Sequence, residues 1–464
     1  MAVEGRTHIP VVHRELCQGC SVCLRACPAE CFYELRSDTD TARGYVYTNT
    51  DIARKEGLPP CVDACPISQE VREYVQLLEK GQVKEALMVI RRDNPLPGVC
   101  GYVCHHPCEQ ACIRGTWDDP VAIRELKRYA VHYEMEHSNE IVDALLERKQ
   151  PSRGKKVTIV GAGPAGLACA FELVMQGYSV TIMDARAEPG GMLVAGIPPF
   201  RLPRHVIEHD IGIIRSLGVE FISSVCIDRE FPLSKLLQNG THAVVVATGA
   251  WKDLRLDVPG EGAKGCFECL DFLGQVNSGM LTELAGTVLV VGGGNAAFDT
   301  ARSALRLGGD QVIIAYRRSR EEMPASPEEI DAAEREGVKI RYLVAPERIL
   351  AEHDNVTGVD LVRMKLGRPD ESGRKKPFPI EGSNFVERVD IVIPALGQRP
   401  DLSFLEVEDE FEGHTISCDV SGRVSGYENL FAAGDAVTGP STVVEAMGSG
   451  KAAARRVMDF LEMI

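Results

Sequence analysis

The sequence predicts an α/β protein in which two units built on parallel sheets follow a helical, cysteine-rich N-terminal region. The order strand, glycine-rich turn, helix, strand occurs at 157–185 and returns at 287–316, which predicts the two sheets. Cysteine is used unevenly, since eleven of the sixteen cysteines precede residue 113. A chain of 464 residues is too long for one core, so several domains are expected.

Composition and charge narrow the classes of partner. The chain has 44% hydrophobic and 25% charged residues, and its net charge of −16 disfavours binding to nucleic acid. No stretch approaches the roughly 20 apolar residues that a membrane-spanning helix needs, and the first residues carry no apolar signal-peptide core. We therefore expect a cytoplasmic protein without nucleic-acid or membrane partners, whose clustered cysteines are metal ligands and not disulfides.

The first glycine-rich turn has the full pattern of a dinucleotide-binding unit. Gly161, Gly163 and Gly166 form a Gly-x-Gly-x-x-Gly motif between a predicted strand and a predicted helix. The first glycine permits the tight turn, the second lets the backbone approach a pyrophosphate, and the third lets the helix pack on the strand. Free N–H groups at the start of the helix favour the phosphates. Asp184 stands at the end of the next strand, where an acid binds ribose hydroxyls.

Two later stretches favour FAD as the ligand of this unit. "AVVVATGAW" (243–251) is a strand that leads into Thr248 and Gly249, and "NLFAAGDAV" (429–437) is a strand that leads into Gly434 and Asp435. A helix that begins near 441–444 directs N–H groups at the flavin, where they favour the negative charge of its reduced form. The predicted FAD contacts are Gly161, Gly163, Pro164, Ala165, Gly166, Asp184, Thr248, Gly249, Gly434, Asp435, Ser441, Thr442 and Val443.

The second glycine-rich turn follows the strand "TVLVV" and predicts a nicotinamide dinucleotide. Ala297 replaces the last glycine of the motif, which is tolerated. The next strand ends without an acid, and Arg317 and Arg318 stand there. Because the arginine fork suits a 2′-phosphate, NADP(H) is favoured over NAD(H), and a solvated basic loop is the alternative. The predicted contacts are Gly292, Gly294, Asn295, Ala296, Ala297, Arg317 and Arg318.

The N-terminal cysteines have iron–sulfur spacing. Cys17, Cys20, Cys23 and Cys27 follow the pattern C-x2-C-x2-C-x3-C-P, which is typical of bacterial ferredoxins. In two-cluster ferredoxins the fourth cysteine of this run ligates the other cluster. Because one full run is present, the remaining ligand must come from Cys31 or from the later cysteines at 61–112.

Residues 157–464 resemble the flavoprotein reductases that have two dinucleotide domains. More narrowly, "GGMLVAGIPPFRLP" (190–203), "YRRSREEMPA" (316–325) and "PALGQRPD" (394–401) resemble the glutamate synthase small subunit. They also resemble the large subunit of NADH-dependent ferredoxin:NADP oxidoreductase and the N-terminal half of dihydropyrimidine dehydrogenase. The resemblance extends from about residue 58 to the end of the sequence.

The resemblance implies that the NAD(P) domain is inserted into the FAD domain. It also adds Gly191, Met192, Leu193 and Arg201 to the expected FAD contacts, and Gly397 to the NAD(P) contacts. The implied segments are a ferredoxin-like iron–sulfur segment (1–50), a helical iron–sulfur domain (51–150), the first part of the FAD domain (155–265), the NAD(P) domain (266–384) and the second part of the FAD domain (385–464).

The resemblance also implies ligands for the second cysteine group. Cys61, Cys65, Cys104, Cys108 and Cys112 match its ligand pattern, whereas Cys100 matches a cysteine that usually does not ligate. The chain departs from the family by lacking a C-x2-C before Cys61 and by having Lys127 where some members supply a Glu or Gln ligand. Two [4Fe–4S] clusters are therefore expected, with three as the alternative, and the N-terminal run is a candidate source of the missing ligands.

The function implied by the resemblance is electron transfer. NAD(P)H exchanges hydride with FAD, and the flavin exchanges single electrons with iron–sulfur clusters. The expected protein is an NAD(P)H oxidoreductase that serves as a subunit of a larger complex, with a 2-oxoacid:ferredoxin oxidoreductase or another low-potential enzyme as partner. A glutamate synthase small subunit and a non-catalytic assembly module remain as alternatives.

A thioredoxin reductase-like dithiol enzyme is a further alternative. Cys266 and Cys269 form a C-x2-C ahead of the second glycine-rich turn, similar in place to the redox pair of those enzymes. The favoured interpretation is two half-buried structural cysteines, since a dithiol route leaves the N-terminal clusters without a role.

Overall fold

The computed structural model describes residues 59–228, 231–238, 240–370, 373–405 and 415–463. The ferredoxin-like segment predicted over 1–50, with Cys17, Cys20, Cys23, Cys27 and Cys31, lies outside the described residues. Across the described part of the chain, no helix is both long and apolar enough to cross a membrane.

A helical unit (residues 59–148) comes first. Its helices are α1 (Pro60–Asp63), α2 (Val71–Glu79), α3 (Val83–Asp93), α4 (Pro97–Val103), α5 (Pro107–Gln110), α6 (Ile123–Glu136) and α7 (Ser138–Arg148). Helices α2 and α3 are separate, because Gly81 between them adopts a positive φ of 73°. Helix α6 packs against α2, α3 and α4, so it closes the unit over the segments that carry the cysteines.

The first α/β unit is built on five strands in the order β15-β4-β1-β2-β3. All neighbouring strands are parallel, as the first glycine-rich unit predicts. The strands are β1 (Lys156–Val160), β2 (Ser179–Met183), β3 (Glu220–Ile222), β4 (Ala243–Val246) and β15 (Leu430–Ala432). The helices are α8 (Pro164–Met175), α9 (Met192–Ala195), α10 (Arg204–Ser216), α11 (Leu233–Gln238), α15 (Asp435–Thr438) and α16 (Val443–Met463).

The second α/β unit is inserted between β4 and β15. Its parallel sheet has the order β13-β6-β7-β8, and a separate antiparallel sheet pairs β10 with β9, β11 and β12. The strands are β5 (Lys252–Asp253), β6 (Thr287–Val291), β7 (Gln311–Tyr316), β8 (Lys339–Tyr342), β9 (Val344–Glu352), β10 (Asn355–Pro369), β11 (Lys375–Pro379), β12 (Phe385–Glu387), β13 (Ile391–Pro394) and β14 (Gln398–Arg399). The helices are α12 (Cys269–Asn277), α13 (Asn295–Arg306) and α14 (Pro327–Glu336).

The predicted boundary between 384 and 385 differs from the structure. Strand β13 lies after that boundary, yet it pairs in parallel with β6 of the second unit, from Ile391 against Val288 to Pro394 against Val291. The second unit therefore extends through β13. The chain then passes the short antiparallel pair of β5 and β14, which joins the two units.

A buried charge cluster joins the helical unit to the first α/β unit. The guanidinium of Arg91 is fully buried and pairs with Glu134 at 2.7 Å and with Asp210 of helix α10 at 2.9 Å. Asp210 also accepts a hydrogen bond from the Val99 amide at 2.9 Å. Burial by itself would raise the pKa of Glu134, but Arg91 and His209 lower it to about 2. The cluster therefore fixes the helical unit against α10 with compensated charges.

Replacing Arg91 by leucine is expected to lower the free energy of unfolding by about 3–5 kcal/mol, since it leaves two buried carboxylates without their cation. The change is measured by urea denaturation followed by circular dichroism. A Lys84→Ala variant is the control, because Lys84 forms an exposed pair with Glu140 and solvent screening leaves such pairs little effect on stability. Equal losses in the two variants would contradict the proposed importance of the buried cluster.

Candidate functional site

The turn between β1 and α8 has no room for side chains at two of its predicted glycines. Gly161 has a positive φ of 110°, and a Cβ there would lie 2.3 Å from the Ala247 carbonyl oxygen. A Cβ at Gly166 would lie 1.9 Å from the Gly161 carbonyl oxygen. The backbone thus turns tightly into helix α8, with Gly163 as the residue before its first turn. This geometry leaves the free N–H groups of the helix start facing the cleft.

Asp184 holds this turn in position from the end of β2. Its Oδ2 accepts a hydrogen bond from the Ala162 amide at 2.6 Å, and its Oδ1 accepts one from the Arg186 amide at 2.8 Å. The carboxylate also lines the cleft, where the sequence places the acid that binds ribose.

One cleft collects most of the predicted FAD contacts. It is lined by Gly161, Gly163, Pro164, Ala165, Asp184, Gly191, Met192, Ala247, Thr248, Gly249, Trp251, Gly434, Asp435, Ser441, Thr442, Val443 and Ala446. Sequence reasoning missed Ala247, Trp251 and Ala446, although Trp251 follows the predicted Thr248-Gly249 closely. The indole of Trp251 donates to the Thr248 carbonyl at 2.7 Å, so it closes the loop after β4.

The far end of the cleft is formed by the loop after β15 and the start of α16. The Ser441 hydroxyl donates to the Asp435 carboxylate at 3.0 Å. Burial raises the pKa of Asp435 to about 6, against the opposing effect of the bonds from Ser441. Helix α16 begins at Val443, so its first N–H groups lie at the same end of the cleft as this acid.

The residues of the cleft fit FAD. Small residues line its walls at Gly161, Gly163 and Ala165, and two helix starts supply anion-favouring N–H groups. The buried hydroxyl of Thr248 has no hydrogen-bond partner among the described residues, which is expected for a group that binds a ligand.

Three of the predicted FAD residues lie elsewhere. Gly166 serves helix packing, and Leu193 is fully buried in the core. Arg201 reaches the second α/β unit, where its guanidinium pairs with Asp299 at 2.7 Å and Glu329 at 3.0 Å. The prediction of Arg201 as an FAD contact is therefore not matched by its position, because these two carboxylates hold it at the interface between the units.

The second glycine-rich turn has the same local form. Gly294 precedes helix α13, and Ala297 is fully buried, as the motif requires for packing of the helix on the sheet. The Asn295 side chain accepts a hydrogen bond from the Ser326 amide at 3.2 Å, and its Nδ2 lies 2.7 Å from His105 Nε2 of the helical unit. The helical unit therefore contacts the nucleotide motif through His105.

The two arginines predicted to bind a 2′-phosphate have different surroundings. Arg318 is buried, with its Nη2 2.7 Å from Asp370 Oδ2 and its Nε donating to the Lys375 carbonyl at 2.8 Å. It therefore anchors the hairpin of β10 and β11, and the prediction of Arg318 as a phosphate ligand is not matched by its contacts. Arg317 keeps contact with solvent, while its partial desolvation and the nearby cations Arg318 and Arg374 lower its pKa. This local excess of positive charge suits a phosphate.

Gly397 lies in the loop between β13 and β14. Its carbonyl accepts a hydrogen bond from the Leu254 amide at 2.9 Å. This hydrogen bond joins the two segments that connect the α/β units, one containing β5 and the other β14, next to the predicted nucleotide site.

The helical unit gathers six cysteines without a disulfide among them. Cys61, Cys65, Cys100 and Cys108 are buried, and the other two, Cys104 and Cys112, are partly exposed. Cys100 hydrogen-bonds to Cys104, and this bond is the largest of the effects that lower the pKa of Cys104 to about 6. Burial raises the pKa of Cys108 to about 12, while the cation Lys127 opposes that rise.

This donor set fits an iron–sulfur cluster better than a single metal ion. No three His, Cys, Asp or Glu side chains of the described residues are grouped for one ion. A four-iron cluster is larger and takes thiolates from several segments. The buried ring of Tyr74 lies among these thiols, since Cys108, Cys65 and Cys61 contribute, after burial, to the rise of its pKa. Cysteines from α1, from the turn after it and from α5 therefore face one region.

Cys266 and Cys269 are not joined by a disulfide in the structure. Cys269 is fully buried and lies 3.3 Å from the Thr300 hydroxyl, whereas Cys266 has the Gly260 carbonyl as its contact at 4.0 Å. Burial raises the pKa of Cys269 to about 12, which disfavours a thiolate nucleophile. The interpretation of the two as structural cysteines agrees with these contacts.

Fold and sites together define a flavin- and pyridine-nucleotide-dependent oxidoreductase with an iron–sulfur domain. The chain belongs to the pyridine nucleotide-disulphide oxidoreductase family, whose model matches residues 155–450. Residues 55–139 match the domain described as "Dihydroprymidine dehydrogenase domain II, 4Fe-4S cluster". These matches imply FAD and a nicotinamide dinucleotide as cofactors and indicate a [4Fe–4S] cluster.

Curated relatives agree with this assignment. The chain is 43% identical over 432 residues to the NADPH-Fe(3+) oxidoreductase subunit beta of Geobacter sulfurreducens, covering 87% of this chain and 64% of the relative. It is 41% identical to the NADP(+)-dependent formate dehydrogenase subunit beta of Moorella thermoacetica, covering 87% and 60%. It is 35% identical to the glutamate synthase [NADPH] small chain of Halomonas elongata, covering 88% and 89%. The chain thus spans about 60% of the length of the first two relatives, and the predicted resemblance to the glutamate synthase small subunit is confirmed.

Solved structures support the fold. FprA from Mycobacterium tuberculosis in complex with NADPH superposes with a TM-score of 0.60 at 19% identity, covering 67% of this chain and 85% of that chain. The predicted fold class, two dinucleotide-binding units behind a helical iron–sulfur domain, is confirmed.

Proposed function

We propose that this chain is an electron-transfer subunit that moves electrons between NADP(H) and a protein redox partner. When bound, FAD exchanges hydride with the nicotinamide and single electrons with [4Fe–4S] clusters. The chain supplies binding, orientation and charge. The observation that carries the proposal is that one helix, α16, contacts both the FAD cleft and the cysteine group.

The contacts of α16 are close on both sides. Ala446 lines the FAD cleft, and the next residue, Met447, is fully buried with its Sδ 3.9 Å from Cys100 Sγ. A Cβ at Gly448 would lie 2.6 Å from the carbonyl oxygen of Pro66, the residue after Cys65. An α-helix rises about 1.5 Å per residue, so one helical turn separates the cleft from the cysteine-bearing segments. Electron transfer between FAD and an iron–sulfur cluster requires that their two binding sites are close neighbours.

The number of clusters and their ligands are part of this proposal. In the helical unit the four ligands come from among Cys61, Cys65, Cys104, Cys108 and Cys112, while Cys100 packs against Met447. The N-terminal run from Cys17 to Cys27 binds a further cluster, with Cys31 as a less favoured ligand. The total is two clusters, with three as the alternative.

The partner is proposed from the redox chemistry that it would share with this chain. A 2-oxoacid:ferredoxin oxidoreductase or another low-potential enzyme is favoured, and the names of the relatives from Geobacter sulfurreducens and Moorella thermoacetica, both subunits, support a role within a complex. A glutamate synthase large subunit is the second candidate, which the relative from Halomonas elongata supports.

The test is anaerobic purification of the full chain with its native partners, followed by FAD and iron analysis and by assay with NADPH and a viologen. We expect FAD, the iron of two four-iron clusters and steady viologen reduction. A chain that binds FAD but transfers no electrons from NADPH would overturn the proposal in favour of an assembly module. Co-purification with a glutamate synthase large subunit would favour the second partner.

Replacing Arg317 by alanine is expected to raise KM for NADPH roughly 10- to 100-fold, because a charged hydrogen bond to the 2′-phosphate contributes about 1.5–3 kcal/mol. KM for NADH is expected to change little, since NADH lacks that phosphate. Steady-state kinetics with both nucleotides measure the difference.

Arg320 provides the matched control for Arg317. Its guanidinium is engaged by Asp331 and by Glu334 at 2.8 Å on the surface, so an Arg320→Ala variant should keep the preference for NADPH. Equal changes for NADPH and NADH in the Arg317 variant would refute its role at the 2′-phosphate.

A further inference from the structure

Helix α6 turns a lysine towards the cysteine-bearing segments. Arg124 Nη1 donates to the Cys104 carbonyl at 3.4 Å, and a Cβ at Gly101 in α4 would lie 3.1 Å from Arg128 Cα. Residues three and four apart lie on one face of a helix, so Lys127 shares the face that meets α4 and the loop after it. Lys127 is buried there, with 6% of its surface exposed.

The charge of Lys127 is not compensated by a carboxylate. Arg124 pairs with Glu328 at 3.1 Å, and Arg128 pairs with Glu125. Lys127 forms no such ion pair within the part of the chain that the structure describes. The groups that interact electrostatically with its buried ammonium are the thiols of Cys100, Cys104, Cys65 and Cys108.

A buried ammonium needs an anion nearby. Burying an unpaired charge is costly, and here the groups that can carry the opposing charge are the thiols of the cysteine group. Because the thiolates of an iron–sulfur cluster carry net negative charge, a cluster in this position compensates the lysine, and the lysine compensates the cluster.

We propose that Lys127 is the charge-compensating residue of the [4Fe–4S] cluster in the helical unit and raises the reduction potential of that cluster. Uptake of one electron adds one negative charge beside the ammonium. The attraction between the two charges favours the reduced state. This inference rests on the proposed function, since it takes the cluster ligands from there.

The test uses the full-length protein with its clusters, purified anaerobically. The midpoint potentials are measured by EPR-monitored titration with dithionite and mediators for Lys127→Met, Lys127→Gln and Lys127→Arg. The neutral variants are expected to shift one cluster to a more negative potential, and the arginine variant is expected to stay near the wild type. Lys84→Met, which removes an exposed lysine of the same unit, should leave every potential unchanged.

An unchanged potential in neutral variants that hold the full iron content would overturn the inference. If the neutral variants assemble no cluster in the helical unit, the iron content of the Lys127→Arg variant decides. Full iron content in that variant supports the need for a positive charge at residue 127. Loss of iron from that variant as well overturns the inference. Because dithionite supplies the electrons, the result does not depend on NADPH. Failure of the wild-type clusters to accept electrons from NADPH would refute the proposed function while leaving the test of Lys127 valid.

Discussion

Replacing Cys65 by serine is expected to remove the iron–sulfur cluster of the helical unit while FAD stays bound. Cys65 is buried, and the carbonyl of the next residue, Pro66, packs against Gly448 of α16. The Cys65 thiol belongs to the group of thiols that surrounds Lys127 and Tyr74. A cluster of this kind needs four thiolates in the usual case. The iron content should fall by one four-iron cluster, and the rate of viologen reduction by NADPH should fall at least tenfold.

Iron analysis, EPR and the FAD-to-protein ratio measure this result. Cys226→Ser is the matched control, because Cys226 is an exposed free cysteine of the first α/β unit and its loss should leave the iron content unchanged. A Cys65 variant that keeps the full iron content and activity would remove Cys65 from the ligand set. Loss of the cluster with undiminished viologen reduction would instead show that electrons leave the flavin directly.

The fold was predictable where a short sequence motif determines the local backbone conformation. Both glycine-rich turns occur between a strand and a helix, and the parallel sheets follow from them. The limits of the inserted unit were less predictable. Strand β13 contains only four residues, and its pairing with β6 joins residues about one hundred positions apart. The sequence "IVIP" of β13 contains no local pattern that indicates which of the two parallel sheets the strand joins.

The FAD cleft was predictable to a similar degree. The predicted residues that line it follow strands β1, β2, β4 and β15, whose carboxyl ends meet at one edge of the sheet. Arg201 and Arg318 were assigned to ligands because arginine suits anions, yet both are engaged by carboxylates. Those carboxylates, Asp299 and Asp370, are distant in sequence, so composition and spacing could not reveal the pairs.

The contacts between the helical unit and the two α/β units could not be predicted from the sequence. The distance of 2.7 Å between His105 and Asn295, and the packing of Cys100 on Met447, each depend on segments that lie hundreds of residues apart. These contacts bring the cysteine group to both nucleotide sites. They also explain why one chain combines a helical iron–sulfur unit with two dinucleotide units.

Replacing Gly161 by alanine is expected to abolish stable FAD binding. The Cβ would lie 2.3 Å from the Ala247 carbonyl oxygen, and the residue would keep a positive φ of 110°. Strain and displacement of this kind cost about 1–3 kcal/mol each. Together they cost about 2–6 kcal/mol and weaken binding roughly 30-fold to 10⁴-fold, since about 1.4 kcal/mol corresponds to a factor of ten. The FAD-to-protein ratio after gel filtration measures the loss.

Gly212 supplies the matched control for Gly161. It lies within helix α10, and a Cβ there would meet nothing within 4 Å, so Gly212→Ala should keep full FAD and be slightly more stable. The iron content of the Gly161 variant separates local from global damage. If iron is retained while FAD is lost, the turn acts on the cleft alone. A variant with full FAD would mean that β4 moves away at little cost, and that the tight turn is not required for binding.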